Sequence, residues 1–498
     1  MIAALPLLLT AALVFVEQDL PGVRVGPPNP FSGIPETNYR QTDLDGDGAL
    51  DLVLPREMCF QRAGGFPADA RVSIPHADER PYADVTGRAI YLRFEHRLIV
   101  LRWEHDAFRE DLDQAMTCPA ASSGESALWG GSDRDSGVRF DRFVYDLDVD
   151  GTPEIVIPAA DGIHIFTRSA QGYLPATVLD LLPPLGLARI PQQTLWPSDA
   201  RRILFPARAM ACRCSIERNR LTILTREDAG AMRVQYRVKR YSLDPRNSFQ
   251  LVPDAVQQSV TEPMPSDFRL CRLNQDDVTD YAGGDWEFST ASAIPTPIYE
   301  TRATLDGGKT IRIVRSQSFR PQCSFVDVNN DGNLDMIAET TGLAEGGIRE
   351  TISRFLTVRA IHHEIGVRFQ NAQGQFSKDP DMSARLTIQL DAPPFRGTDF
   401  FQRYGTGELV DVTGDFNGDG RKDILAQDRP NRLAVMLNQG NAFNTRPDAT
   451  IAMTKEGRFG VADVNGDGRS DVVITERDTS EHGRGERTRV FFAREAQP

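Results

Sequence analysis

Residues Asp463-Val464-Asn465-Gly466-Asp467-Gly468-Arg469-Ser470-Asp471 are flanked by apolar residues on both sides, Phe459–Ala462 before them and Val472–Ile474 after them. The pattern D-x-[DN]-x-D-G-x-x-[DE] occurs five times, and we number the copies as loop 1 (43–51), loop 2 (146–154), loop 3 (327–335), loop 4 (415–423) and loop 5 (463–471). A short β-prone stretch lies on each side of every copy, so the pattern predicts a strand–loop–strand unit.

The spacing of the oxygen-bearing side chains points to a hard cation. Positions one, three and five of a curled loop face the same side, and glycine at position six permits a sharp turn. That turn directs the carbonyl of position seven inward, and the acid at position nine completes an oxygen shell suited to calcium. Zinc would favour histidine or thiolate, and magnesium seldom uses so many protein oxygens.

The sequence therefore predicts up to five structural Ca²⁺ ions, one in each loop. The predicted ligands are Asp43, Asp45, Asp47, Ala49 and Asp51; Asp146, Asp148, Asp150, Thr152 and Glu154; Asp327, Asn329, Asp331, Asn333 and Asp335; Asp415, Asn417, Asp419, Arg421 and Asp423; Asp463, Asn465, Asp467, Arg469 and Asp471, with the carbonyl serving at the seventh position. Loop 2, with Pro153 and the longer Glu154, is expected to be the weakest or most variable site.

The loops have two other possible interpretations. An EF-hand closes with an acid at position twelve, but the twelfth residues here are Leu54, Ile157, Ala338, Ala426 and Ile474. A single Asp-Gly segment could equally be a hairpin turn. Five copies that retain the ninth-position acid favour metal binding.

The intervals between the loops suggest a repeated unit. They fit unequal multiples of about 45–65 residues, the length of a propeller blade. An all-β propeller over residues 23–498 follows, with seven blades favoured and six or eight as alternatives. Residues 155–326 and 336–410 lack the motif and could hold insertions. Asp84-Val-Thr-Gly87 is a degenerate blade start, and Arg487–Ala493 is expected to pair with an early strand and close the ring.

The loops resemble the FG-GAP or VCBS-type repeats that build the β-propeller of integrin α-chains. The similarity is greatest in Gly414–Leu425 and Phe459–Gly468. The resemblance implies a seven-bladed propeller that holds calcium in its blade loops.

The first residues indicate export. Ile2–Val16 is almost uniformly apolar and too short to span a bilayer comfortably, which predicts a signal peptide over residues 1–22 and an exported product that is secreted, periplasmic or at the cell surface. A buried first strand is the alternative. The six cysteines are an even number, and disulfides between loops or sheets are expected, with their pairing open.

The composition and the motifs of the chain argue against several classes of function. A net charge of −14 argues against nucleic acid as the main partner, and no apolar run is long enough for an ordinary transmembrane anchor. No nucleophile elbow or zinc-protease motif is present, and neighbours in His362-His363-Glu364 should face opposite sides of a strand. The favoured function is a binding or adhesion scaffold for a protein or glycan. The alternative is a propeller-fold enzyme, a lyase or hydrolase of polysaccharide. Oligomeric state is open.

Overall fold

The structure is a computed structural model of the 498-residue chain. It describes residues 13–28, 35–63, 65–116, 139–140, 143–159, 162–179, 212–217, 220–230, 233–244, 249–253, 258–263, 266–271, 273, 280–289, 296–305, 309–317, 322–341, 357, 360–371, 374–389, 409–454, 457–477 and 486–495.

The described residues are almost entirely strands, as the alternation of apolar and polar residues predicts. The first four sheets in chain order are sheet 1, β4 (Arg40–Thr42), β5 (Asp51–Val53), β6 (Glu57–Cys59) and β7 (Arg71–Ser73); sheet 2, β8 (Tyr82–Thr86), β9 (Ala89–Arg93), β10 (Arg97–Glu104), β11 (Ala107–Ala115) and, parallel to β8, β12 (Arg139–Phe140); sheet 3, β13 (Val144–Tyr145), β14 (Glu154–Ala159), β15 (Gly162–Ser169) and β16 (Gly172–Leu179); and sheet 4, β17 (Cys212–Glu217), β18 (Arg220–Gly230), β19 (Arg233–Asp244), β20 (Gln250–Pro253) and β21 (Gln258–Pro263).

Four further sheets follow the same antiparallel order. They are sheet 5, β22 (Ser266–Cys271), β23 (Asp280–Ser289), β24 (Thr296–Leu305) and β25 (Lys309–Gln317); sheet 6, β26 (Gln322–Val326), β27 (Asp335–Thr341), β28 (Ala360–Arg368) and β29 (Met382–Gln389); sheet 7, β30 (Val410–Asp411), β31 (Ile424–Arg429), β32 (Arg432–Met436) and β33 (Ala449–Ala452); and sheet 8, β34 (Arg458–Ala462), β35 (Asp471–Arg477), β36 (Glu486–Glu495) and β1 (Leu13–Asp19). The remaining elements are the pair β2 (Val25–Pro28) and β3 (Pro35–Thr37) and the 3₁₀ turns Ala68–Ala70 and Ala77–Glu79.

Apolar clusters lie between successive sheets and hold them face to face. Residues that share a cluster include Val53 with Ile90 (sheets 1 and 2), Ile157 with Tyr91 (3 and 2), Ile165 with Leu243 (3 and 4), Ile337 with Ile424 (6 and 7), Leu425 with Val472 (7 and 8) and Val473 with Leu52 (8 and 1). Sheet-on-sheet burial of this kind is consistent with a β-propeller, in which each blade packs against the next.

The two ends of the described chain meet in sheet 8. Every residue of β1 pairs with β36, from Leu13 opposite Glu495 to Asp19 opposite Arg489. The predicted pairing of Arg487–Ala493 with an early strand is therefore confirmed. Strand β1 lies inside the segment 1–22 that the sequence predicts to be a signal peptide.

The sheets also fill the segments that lack the motif. The described parts of 155–326 contain strands of sheets 3 to 6, and those of 336–410 contain strands of sheets 6 and 7. The degenerate start at Asp84 is confirmed, because β8 contains Asp84 and turns at Gly87 into β9. Within the described residues, eight sheets have four or five strands, against the seven blades that the spacing favours.

Two expectations about membranes and cysteines can be compared with the structure. In the described part of the chain, no helix has the length and apolar character needed to cross a bilayer. Cys59 is buried and is a free thiol rather than a member of the expected disulfides, and Cys323 is half-buried. Cys118 and the side chains of the other cysteines lie outside what the structure describes.

Candidate metal sites

All five acidic loops occupy the same place in their sheets. Each joins the first strand to the second, in sheets 1, 3, 6, 7 and 8. The predicted strand–loop–strand context is therefore confirmed for every copy.

Two positions in each loop have left-handed backbone. The sixth-position glycines have φ between 84° (Gly468) and 89° (Gly48), a conformation in which a Cβ is strained. The fourth position is left-handed too, with glycine in loops 1, 4 and 5 but Asn330 (φ 61°) in loop 3 and Val149 (φ 62°) in loop 2. Sequence reasoning identified the sixth-position requirement and missed the fourth, although Gly-x-Gly in three copies was a visible signal.

Backbone amides of each loop donate hydrogen bonds to side-chain oxygens of its motif residues, and these bonds hold the loop in a curled conformation. In loop 1, Asp43 Oδ1 accepts from the Gly46 amide at 2.6 Å and Oδ2 accepts from the Gly48 amide at 3.1 Å. Asp47 Oδ1 accepts from the Ala49 amide at 2.8 Å. The bond from position five to the position-seven amide recurs in all five loops. These bonds place the oxygen-bearing side chains on one side of each turn.

The ninth-position carboxylate is buried and ties the loop to the rest of its sheet. Asp423 Oδ2 accepts from the Phe416 amide at 2.8 Å, and its Oδ1 accepts from the Asn438 amide at 2.8 Å. Asp51, Asp335 and Asp471 repeat both bonds, with Gln61, Gln370 and Ala493 as the more distant donors. Glu154 makes the first of them, to Leu147 at 2.8 Å. In four of the five loops the ninth acid thus joins its own loop to the chain at or just beyond the third strand, a role that sequence reasoning missed.

The buried ninth-position acids lie close to other carboxylates of their loops. Burial and these neighbouring carboxylates together raise the pKa of Asp51 to about 6 and that of Asp423 to about 7, against the lowering effect of the backbone amides that donate to them. The pKa of Glu154 is raised to about 7 in the same way. Like charges held together in a desolvated site are the electrostatic condition that a bound cation relieves.

The donor set fits a calcium ion. One oxygen each from Asp43, Asp45 and Asp51 lies within 4.8 Å of the others, and Asp146, Asp148 and Glu154 form the same arrangement in loop 2. A carboxylate oxygen that accepts one hydrogen bond retains a second lone pair for a metal. Loops 3 to 5 have an amide, Asn329, Asn417 or Asn465, at the third position, which supplies a neutral oxygen of the kind that calcium accepts.

Four of the loops pack side by side. The Lys422 amide of loop 4 donates to the Val328 carbonyl of loop 3 at 3.0 Å, and the Ser470 amide of loop 5 donates to the Asp415 carbonyl of loop 4 at 2.7 Å. Gln41, at the start of sheet 1, donates to the Asp463 carbonyl of loop 5 at 2.7 Å. Loops 3, 4, 5 and 1 therefore form a continuous row across sheets 6, 7, 8 and 1, and we call this the loop row.

The histidine cluster that the sequence singled out is divided between two faces, as predicted. His363 is buried, and its Nε2 lies 2.9 Å from Glu339 Oε2 in the adjacent strand. His362 lies 3.3 Å from the Thr387 hydroxyl on the other face, and Glu364 is exposed. The cluster does not form a common metal or catalytic site.

A family model for the FG-GAP-like repeat matches residues 415–474, which contain loops 4 and 5. Residues 415–474 therefore contain an FG-GAP-like repeat, as the motifs of loops 4 and 5 indicate. No curated protein matches the chain. Among solved structures, the AfRom2 CNH domain aligns with 82% of this chain and 93% of that chain, at 10% identity and a TM-score of 0.23. A score that low carries no argument about the present fold.

Proposed function

We propose that this protein is an exported, calcium-stabilised β-propeller that serves as a binding scaffold for a protein or glycan. The observation that carries the proposal is the identical placement of five acidic loops between the first and second strands of their sheets. Export is supported by the apolar Ile2–Val16 segment. Eight blades follow if each four- or five-stranded sheet is one blade.

Calcium in this proposal holds sheets together rather than performing chemistry. The residues that would bind it are those of positions one, three, five, seven and nine. Because the ninth acid also bonds the third strand, an ion in the loop neutralises a charge at the centre of its sheet. Backbone hydrogen bonds link loops 3, 4 and 5, and the Gln41 side chain links sheet 1 to loop 5, so ions in these loops also stabilise the contacts between neighbouring sheets. Binding energy of this kind appears as folding stability.

Equilibrium dialysis against calcium, followed by a glycan array with the purified chain, tests the proposal. We expect bound calcium and ligand capture that is lost in chelator, because the loops support the face that carries the ligand. Calcium binding with release of oligosaccharide products from a polysaccharide would favour the enzyme alternative. Absence of bound calcium at millimolar concentration would contradict the metal part of the proposal.

A further inference from the structure

Loop 1 contains a cation supplied by the chain itself. Arg62 Nη2 lies 2.7 Å from Asp45 Oδ2, and its Nη1 lies 3.0 Å from Asp47 Oδ2. These are the third- and fifth-position carboxylates of the loop. A planar guanidinium that bonds two carboxylates with separate N–H groups is held in one orientation as well as attracted by charge.

Arg62 is positioned by the structure around it. Its Nη1 also donates to the Gln61 carbonyl at 2.8 Å, and its guanidinium carbon lies 5.2 Å from the centre of the Phe60 ring. The backbone of Arg62 exchanges two hydrogen bonds with Gly65, at 2.8 and 3.0 Å. The preceding residue, Gln61, donates its amide to Asp51. The side chain is therefore anchored to the third strand of sheet 1 and aimed at the loop.

Loop 2 is a natural comparison, because it has the same four acidic positions. Three of its carboxylates come together as those of loop 1 do. Among the described residues, however, no arginine or lysine pairs with Asp146, Asp148 or Asp150. Within the described chain, Arg62 is therefore a cation that loop 1 has and loop 2 lacks.

In sheets 6 and 7 of the loop row, the residue that corresponds to Arg62 is uncharged. The corresponding residues directly follow the donor to the ninth acid; they are Asn371 in sheet 6, Gln439 in sheet 7 and Arg494 in sheet 8. Arg421 does pair with Asp419 of its own loop, but with that single carboxylate.

We propose that Arg62 is the resident cation of loop 1 and takes the place that calcium has in the other loops. The proposal rests on the proposed function, since it assumes that the remaining loops bind calcium. A calcium ion at loop 1 needs oxygens of Asp45 and Asp47, and the guanidinium that holds them must first be displaced. Loop 1 is consequently ordered without metal and binds calcium more weakly than loop 2, in contrast to the expectation that loop 2 is the weakest.

Removing the guanidinium should convert loop 1 into a calcium site. Arg62→Gln is expected to tighten metal binding at loop 1 by about tenfold or more, since a lost charge-assisted hydrogen bond is of that order. Its melting temperature in chelator should fall below that of the wild type and recover with calcium. Arg56→Gln is the matched control, because Arg56 pairs with the exposed Asp78 of the 3₁₀ turn Ala77–Glu79.

Trp103 provides a local reporter. Its ring lies 4.7 Å from that of Phe60, the residue beneath Arg62. Terbium occupies oxygen-rich calcium sites, and its luminescence is sensitised by a nearby indole. Titration with terbium should give a tryptophan-sensitised signal in Arg62→Gln at lower concentration than in the wild type. The signal gained should disappear in the Arg62→Gln/Trp103→Phe double variant, which identifies loop 1 as its source.

The reciprocal substitution does not depend on the folding of Arg62→Gln. Gln439→Arg places a guanidinium at the corresponding position of sheet 7 and should weaken calcium binding at loop 4, so that equilibrium dialysis at limiting calcium finds less bound ion than in the wild type. The Arg62 proposal is overturned if wild type and Arg62→Gln bind terbium alike at the Trp103-reported site while dialysis shows calcium elsewhere. If dialysis shows no calcium in either protein, the proposed function fails, and the role of Arg62 fails with it.

Discussion

The side-chain amide of Gln41 lies 2.7 Å from the carbonyl oxygen of Asp463, although 422 residues separate them in the chain. The same amide nitrogen lies 3.0 Å from the Val464 carbonyl. Gln41, in the first strand of sheet 1, thereby joins sheet 1 to loop 5 of sheet 8. Closure of the ring depends on this contact as well as on the pairing of β1 with β36.

Removal of the Gln41 side-chain amide should destabilise the contact between sheets 1 and 8. Gln41→Ala is expected to lower the free energy of unfolding by about 1–2 kcal/mol, because two half-buried carbonyls lose their donor. Urea unfolding measures the change, and Gln171→Ala, at an exposed turn, is the control. Equal stability of the two variants would show that sheets 8 and 1 are held by apolar packing alone.

The strained fourth position of loop 2 predicts a stabilising substitution. Val149 is 71% exposed and left-handed, so its replacement removes little packing. Val149→Asn should stabilise the protein by about 1 kcal/mol, since asparagine tolerates this conformation and a β-branched residue does not. The reciprocal Asn330→Val in loop 3 should destabilise it. Thermal unfolding in chelator compares them, and a loss of stability in Val149→Asn would contradict the strain argument.

A surface histidine predicts a pH-dependent contribution to stability. His76 Nδ1 lies 2.8 Å from Glu79 and Nε2 lies 2.9 Å from Glu110, and the bonds to Glu110 and then Glu79 raise the pKa of His76. A raised pKa in the folded state means that the stabilisation is complete below the unfolded pKa and is lost as pH rises through the folded value.

The substitution His76→Gln is therefore expected to lower the free energy of unfolding only at acidic pH. The loss should be below about 1 kcal/mol, because the histidine is partly exposed and its ion pairs are screened by solvent. Melting curves at about pH 5.5 and about pH 8.5, on either side of the ordinary histidine pKa, measure the difference. His96→Gln, at an exposed position, is the control. A larger loss at the higher pH would reverse the sign and reject this interpretation.

Strand β1 lies inside the segment that the sequence predicts to be a signal peptide, and removal of residues 1–22 would remove the whole strand. Phe15 packs edge-on against Phe416 with ring centroids 6.0 Å apart, and Asp19 pairs with Arg487 at 2.8 Å. We predict that the chain from the native host retains Leu13–Asp19, as intact-mass measurement would show, which is the outcome expected of a first strand rather than of a signal peptide over residues 1–22. A recombinant chain that begins at Val23 should unfold at lower temperature than one that begins at Leu13, because β36 becomes an exposed edge. Equal melting temperatures of the two chains would argue that β1 is dispensable.

The acidic loops and the strands beside them could be predicted from the sequence, because their residues follow a chemical pattern. Asp and Asn at positions one, three and five, followed by Gly, require a curled loop, and the apolar residues on each side then have to be strands. Sheets 2, 4 and 5 carry no such loop. The turn of β8 into β9 at Gly87, for example, is a short one with no ligand pattern. The presence of sheets 2, 4 and 5 could be inferred only from apolar stretches. The number of sheets could therefore not be predicted from the sequence.

The parts of the site that escaped prediction depend on distant residues. Asp51 accepts from Gln61, ten residues later, and Asp335 accepts from Gln370, 35 residues later, because the third strand lies beside the loop. Arg62 reaches Asp45 for the same reason. Sequence spacing within a nine-residue motif contains no information about a partner that the sheet brings back to it.

The central claim is that the acidic loops bind calcium and that the ion stabilises the folded chain. Thermal unfolding of the wild type, Asp467→Asn and the exposed control Asp69→Asn, each in calcium and in chelator, tests it most directly. Calcium at one hundred times the dissociation constant adds about 2.7 kcal/mol for each site. We expect chelator to lower the melting temperature of wild type and control alike, and the calcium response of Asp467→Asn to be smaller. An unchanged wild-type melting temperature in chelator, or a full calcium response in Asp467→Asn, would contradict the claim.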